Sequence, residues 1–228
     1  MLNLNTEKFY IIGHRGVEYG AAENTLEAFK KAISLGVDFV EMDIQPCKGG
    51  GLVVFHDKIL TSKTNLTGKV SDFNLAQLKQ TTINVNGYSG RIPSLQEALE
   101  LFNESRKQTK LILELKYFSS FCSKHGILAE SLYHELIDLL DKYHFTNKVI
   151  IDSFDFQTIN KFKKNFPDFC TSWLIKPKNP IFFKFKYKRL IEKIMNNRLQ
   201  AVSLHRKNLN EKIVSAFKNN GIFVFAWG

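Results

Sequence analysis

Residues 9–43 read FYIIGHRGVEYGAAENTLEAFKKAISLGVDFVEMD, and this stretch decides the fold. Phe9-Tyr10-Ile11-Ile12 is an apolar run of strand length. From Asn24 to Leu35, Leu26, Phe29, Ala32 and Ile33 recur at helical spacing, and Val37-Asp38-Phe39-Val40-Glu41-Met42-Asp43 returns to an extended pattern. Strand, helix and strand at this spacing predict a βαβ unit with parallel strands. The alternation continues outward. Leu52-Val53-Val54-Phe55 is extended, and the Gly49-Gly50-Gly51 turn before it predicts a hairpin with the preceding strand. Ser94 with Glu97 three residues on predicts a capped helix through about Glu104. Strand-like runs at 111–115, 148–151, 169–174, 201–204 and 222–226 then alternate with helical patterns at 127–143, 156–166, 183–195 and 209–217. Such repetition predicts an α/β protein, a TIM-type (β/α) barrel rather than a shorter doubly wound sheet, as a single domain over 1–228. About seven strands can be placed, so the final strand and helices are expected to be missing.

Composition narrows the function classes. The 228 residues are 44% hydrophobic and 13% aromatic, too rich for a disordered chain. No run approaches the ~18 apolar residues of a membrane span, and residues 1–8 lack the basic and apolar segments of a signal peptide. Cys47, Cys122 and Cys170 are an odd number at unrelated spacings, which predicts neither a disulfide framework nor a metal site and places the protein in a reducing, cytoplasmic setting. Thirty-two Lys and Arg against twenty-two Asp and Glu give a formal charge of +10, a field that favours phosphate compounds, nucleic acids or acidic membranes as partners. No RNA-recognition, zinc-finger or helix-turn-helix signature is present, so no specific nucleic acid is expected. The glycines form neither a dinucleotide-binding nor a P-loop string. Oligomeric state is not readable.

The reactive residues fall at predicted strand ends, where barrels place their chemistry. His14-Arg15-Gly16 follows the first strand, Glu41 and Asp43 end the second, His56-Asp57 ends the 52–55 run, and Glu114 and Lys116 end the next barrel strand. Residues two apart on a strand share a face, so Glu41 and Asp43 point to one side. Carboxylates from two strands suit one Mg²⁺ or Ca²⁺ rather than Zn²⁺. Arg15 and Lys116 are placed to neutralise a bound phosphodiester, and His14 and His56 to divide the proton transfers. The parts form a phosphodiesterase.

Gly13-His14-Arg15-Gly16, Glu23-Asn24-Thr25, Ala28-Phe29, Glu41-x-Asp43, His56-Asp57, Ile92-Pro93-Ser94-Leu95 and Glu114-Leu115-Lys116 together resemble the glycerophosphodiester phosphodiesterase family, with weaker likenesses at Ser153-Phe154 and Trp227. The resemblance implies a TIM-type barrel that hydrolyses glycerophosphodiesters to an alcohol and glycerol 3-phosphate. It implies metal ligands at Glu41, Asp43 and Glu114, acid/base histidines at His14 and His56, and substrate contacts from Arg15, Lys116 and Trp227. It also implies an inserted cap region at 58–91, polar in composition, with turn signals at Thr67-Gly68 and Asn86-Gly87. Lipid-directed relatives, a lysophospholipase D-like or phospholipase C-like enzyme, are the nearest alternative, and a non-catalytic phosphate or nucleic-acid binder is the alternative from another class.

Several positions depart from the family pattern. Ala22 replaces a usual Pro, Cys47 and Gly49 replace a Thr and an Asp, and Ser62 stands where an Arg is frequent, so one cap or substrate contact is expected to be absent. The chain reads Trp227-Gly228 where the pattern has Trp-Thr-Val-Asn. Glu23 and Asn24 are read as a helix start that Asn24 caps, with a substrate or metal contact as the alternative, His205 as a candidate for the barrel mouth, and His125, His134 and His144 as solvated. The basic and aromatic stretch 176–189 reads as a helix with Phe183, Tyr187, Leu190 and Ile194 inward, or as a surface touching anionic lipid headgroups.

Overall fold

The computed structural model describes every residue except 1, 3, 6, 7, 18, 62, 106, 127, 128 and 177–179, and the side chains of 180–182, 184 and 185 also lie outside it. The chain forms two compact units, residues 9–149 and residues 150–228 with 1–8.

In the first unit β1 (Ile12–Gly13) pairs in parallel with β2 (Phe39–Pro46), and α1 (Leu26–Leu35) connects them. The α1 cap is Thr25, whose hydroxyl accepts from the Ala28 amide, rather than the expected Asn24. Gly36 stops the helix in the left-handed region at φ 73°, where a Cβ is strained. The apolar stripe Ala28, Phe29, Ala32 and Ile33 is buried. β3 (Leu52–Val54) returns antiparallel to β2, as the three glycines predict, with Leu52 opposite Pro46.

The chain then builds β4 (Ile59–Leu60), β5 (Gly68–Lys69), α2 (Leu75–Lys79), β6 (Thr82–Val85) and β7 (Tyr88–Arg91). Asn86 and Gly87, both at positive φ, make a two-residue turn between Val85 and Tyr88, the geometry that matches strand twist in a hairpin. This segment is less polar in its structure than in its composition. Leu60, Val70, Leu78 and Ile83 are buried with Ala22, Cys47, Val53, Phe55 and Ile92 in a separate apolar cluster.

Next come α3 (Leu95–Glu104), with Ser94 and Glu97 capping each other, and β8 (Lys110–Leu115), parallel to β2. Asp43 lies opposite Glu114. Met42, Ile44, Leu111 and Leu113 are all fully buried, the pattern of strands covered on both faces. α4 (Phe118–His125) and α5 (Ala129–Lys142) complete the unit.

The second unit carries β9 (Val149–Ser153), β10 (Cys170–Ile175), β11 (Ala201–His205) and β12 (Phe223–Trp227), parallel neighbours in that order. The helices are α6 (Phe156–Asn165), α7 (Pro180–Asn196) and α8 (Glu211–Lys218). Asp155 and Asn210 cap α6 and α8. On α7 Phe183, Tyr187, Ile191 and Ile194 are buried and Lys186, Lys188 and Arg189 are exposed; residues 177–179 of the basic stretch fall outside the described residues. No helix among the described residues is long and apolar enough to cross a membrane.

The turn after β1 constrains the site. Gly16 donates to the Gly13 carbonyl (3.3 Å), has φ 89°, and a Cβ there would lie 2.8 Å from Ala28 of α1. Gly16→Ala is expected to lower stability by about 1–3 kcal/mol, the typical cost of backbone strain. Urea unfolding checks this, and unchanged stability would mean that the turn adapts freely.

Candidate active site

The first unit gathers a dense set of charges at the C-terminal ends of its parallel strands. Glu41 and Asp43 leave β2 on one face, and Glu114 joins them from β8; one oxygen of each lies within 4.8 Å of the others. Asp43 is only 1% exposed. A buried carboxylate needs charge partners. Arg15 Nε lies 3.2 Å from its Oδ2, Lys116 Nζ 3.3 Å from its Oδ1, and Asn24 Nδ2 donates to Oδ2 at 2.7 Å. The Asp43 amide returns a bond to Asn24 Oδ1 (3.2 Å). Asn24, expected as a cap, therefore holds Asp43 instead, and its φ of 57° allows this.

Arg15 also donates from its amide to Glu41 Oε2 (2.9 Å) and from Nη1 to Glu23 Oε2 (2.7 Å). Lys116 Nζ donates to Glu114 Oε1 at 2.9 Å. His14, largely exposed, places Nε2 3.9 Å from Glu41 Oε2. His56 Nδ1 pairs with Asp57 Oδ1 at 2.7 Å. Lys63, between β4 and β5, reaches both Glu23 Oε1 (2.7 Å) and Asp57 Oδ2 (3.1 Å).

These contacts separate the carboxyl groups by their proton affinity. Burial, reinforced by the charges of Asp43 and Glu114, pushes the Glu41 carboxyl well above the usual range. Burial and the Asp43 charge push Glu114 up to about 7, against the pull of Lys116. For Asp43, burial is outweighed by Lys116 and Arg15, and its carboxyl is held low. Glu23 and Asp57 are likewise low: burial is outweighed by hydrogen bonds from Lys63 and Arg15 to the first, and from His56 and Lys63 to the second. Three hard oxygen donors at one point, two of them resisting ionisation without a counter-charge, fit a divalent cation.

His14, Arg15, Glu41, Asp43, His56, Glu114 and Lys116 thus all belong to the first unit. Trp227 belongs to the second, at the end of β12, edge-on to His205 (4.8 Å between ring centres) and Phe154 (5.4 Å). His205 turns back to accept from the Lys207 amide. His125, His134 and His144 are exposed, as expected. The sequence reading did not single out Lys63. Its only signal was the adjoining Ser62, which stands where the resemblance expects a cation and lies outside the described residues. Cavity size does not find the site either. A groove of about 930 Å³ is lined by Leu26, Lys79, Thr82, Arg91, Pro93 and Glu97, none of which is a candidate residue.

Parallel strands alternating with helices, with carboxylates, basic side chains and histidines at strand ends, define a phosphate-handling enzyme of the barrel class. The profile of the Glycerophosphoryl diester phosphodiesterase family matches residues 14–228, and the chain belongs to that family, whose members are phosphoric diester hydrolases. A glycerophosphodiester phosphodiesterase of Caldanaerobacter subterraneus subsp. tengcongensis is 32% identical over 227 residues, covering 96% of this chain and 85% of the relative. The fold is the TIM-type barrel of that family. The Thermotoga maritima glycerophosphodiester phosphodiesterase superposes with a TM-score of 0.73 at 25% identity, over 97% of this chain and 87% of that one. An Oleispira antarctica phosphodiesterase, solved with the product sn-glycerol-3-phosphate, superposes at 0.78 with 23% identity, over 96% and 84%.

The raised Glu114 carboxyl carries a stability consequence. A carboxyl at about 7 when folded and near 4.5 when unfolded contributes stability below the lower value, and loses it as pH rises through the upper one. Glu114→Gln removes the charge and keeps an acceptor for Lys116. In chelator, the variant is expected to melt above wild type at pH 8 and to lose that advantage by pH 5. Parallel melting curves across this range would contradict the raised carboxyl.

Proposed function

We propose that this site hydrolyses glycerophosphodiesters to an alcohol and glycerol 3-phosphate, with Glu41, Asp43 and Glu114 holding one Mg²⁺ or Ca²⁺ and His14 and His56 exchanging protons. The convergence of the three carboxylates within 4.8 Å, flanked by both histidines and two basic side chains, carries this reading. Charge counting supports it. Glu23, Glu41, Asp43, Asp57 and Glu114 face Arg15, Lys63 and Lys116, which leaves two negative charges uncompensated when all are ionised. When bound, the cation supplies Lewis-acid stabilisation of charge on a phosphate oxygen.

The chain's own residues do the rest. Arg15 and Lys116 orient the phosphodiester and balance its charge. His14 is the base that takes a proton from the attacking water, or from the neighbouring glycerol hydroxyl, as its oxygen bonds to phosphorus; in the second case water then opens the cyclic phosphodiester to glycerol 3-phosphate. His56 is the acid: Asp57 at Nδ1 orients the ring, whose Nε2–H passes to the leaving alcohol oxygen as the P–O bond breaks. Trp227, packed edge-on to Phe154 and His205, is assigned a substrate contact on the family resemblance alone. Residues 58–91 act as an inserted cap within a single catalytic domain. The buried thiols of Cys47 and Cys170 support a reducing, cytoplasmic setting.

Glycerol 3-phosphate release from glycerophosphocholine tests the reading. Turnover is expected with Mg²⁺ or Ca²⁺, to vanish in EDTA, and to fall by about 10²–10⁴ in His14→Ala and in His56→Ala. Chelator-resistant turnover, or full activity in either variant, would overturn it. Hydrolysis of lysophosphatidylcholine alone would transfer the site to the lipid-directed reading.

A second reading concerns a partner. Residues 150–228 contain fifteen Lys and Arg against five Asp and Glu, whereas residues 1–149 contain seventeen of each, so the whole excess charge lies in the C-terminal part. Exposed Lys186, Lys188 and Arg189 on α7 contact anionic headgroups at a membrane surface, each adding about 1 kcal/mol of attraction. The protein is expected to co-sediment with phosphatidylglycerol vesicles at low salt, and Lys186→Glu/Lys188→Glu/Arg189→Glu to lose that binding. Equal binding to phosphatidylcholine vesicles, or binding only to nucleic acid, would refute it.

A further inference from the structure

We infer that Lys63 is a positioning residue that holds both His56 and Arg15 in place, each through a carboxylate that the lysine shares with it. Asp57 gives Oδ1 to His56 Nδ1 (2.7 Å) and Oδ2 to Lys63 Nζ (3.1 Å). Glu23 gives Oε2 to Arg15 Nη1 (2.7 Å) and Oε1 to the same Lys63 Nζ (2.7 Å). One ammonium thus takes one oxygen from each carboxylate and leaves the other for the working side chain. Two oxygens pinned on different partners fix the rotation of a carboxylate, and a fixed carboxylate selects the ring orientation and tautomer of a histidine.

The lysine is itself held by its backbone. Asn84 donates its amide to the Lys63 carbonyl (2.6 Å), Thr64 bridges to Ile83, and the Asn65 amide bonds Thr82. Leu60 and Ile83, on either side of these contacts, are buried in the separate apolar cluster of the inserted segment. The packing of that segment therefore sets where the ammonium stands. Without Lys63, Asp57 keeps a single anchor and is more than a third exposed, so it is free to swing towards water.

The inference rests on His56 being the proton donor, and the experiment separates the two ideas. The variants are Lys63→Met, Lys63→Arg, Asp57→Asn, Lys63→Met/Asp57→Asn and His56→Ala, each assayed for kcat and KM and each melted. The His56 ring is followed by ¹⁵N NMR. Lys63→Met is expected to lower kcat by about 10–100-fold and to melt close to wild type, because a part-exposed pair adds little stability. Its His56 spectrum is expected to lose the signature of an Nδ1 hydrogen-bonded to Asp57 and to report a mixture of ring orientations. Lys63→Arg, which keeps the charge and donors, restores most of kcat. Lys63→Met costs less once Asp57→Asn is present, since the two variants share the His56 contact and only the loss through Glu23 and Arg15 remains. An unchanged His56 spectrum in Lys63→Met, or additive losses in the double variant, would overturn the inference. Full activity in His56→Ala would instead overturn the acid assignment, with the spectrum still reporting on Lys63.

Discussion

A single buried charge organises the cluster of charged side chains at the strand ends of the first unit. Asp43 is almost wholly removed from water, and an ionised carboxylate there is tolerable only with cations and donors around it. Arg15, Lys116 and Asn24 supply them. Arg15 and Asn24 come from the loop between β1 and α1 and Lys116 from the end of β8, and meeting that demand shapes the loop. The turn after β1 folds back so that the Arg15 carbonyl accepts from the Asn24 amide, and both residues sit at positive φ. Non-glycine residues in that region are strained, and the charge contacts to Asp43 offset the strain. Glu41 and Glu114 then crowd the same centre, which is why burial and repulsion lift their proton affinity while Asp43 remains ionised.

The segment between β3 and β8 has a core of its own. Its apolar cluster, shared with Ala22, Cys47, Val53 and Phe55, gives a few short strands and one turn of helix a core that they could not bury alone. A firm base matters because Lys63 must hold its ammonium between two carboxylates. Cys47, a departure from the family pattern, is fully buried in that cluster, where a small apolar side chain fits.

Charge is also partitioned along the chain. Residues 1–149 are balanced and hold the cluster of carboxylates, and residues 150–228 carry the entire excess of Lys and Arg. Within the second unit the buried carboxylate Asp152 accepts from Ser203, which in turn pairs with Ser172, so neighbouring strands share a polar layer inside an otherwise apolar sheet. Lys193 packs over the rings of Phe156 and Trp173, which ties α7 to α6 and β10 by cation–π contact.

The sequence alone determined the alternation of strand and helix, the β2–β3 hairpin, the Ser94 cap and the family, because these depend on local periodicity, turn glycines and motifs that stay collinear in the chain. It also determined that Glu41 and Asp43 share a face, since alternation along a strand is a property of the backbone. It did not show that Asn24 bonds Asp43 while Thr25 caps the helix: both residues are good caps, and the choice depends on a carboxylate nineteen residues away. α2, of five residues, is too short for periodicity to reveal. Lys63 was invisible for the same kind of reason. A lysine in a polar loop is ordinary, and only the tertiary fold brings it to Glu23, forty positions earlier, and to Asp57 at once. Local sequence sets which elements form; long-range charge pairing, which needs the folded chain, decides which side chains hold the clustered carboxylates.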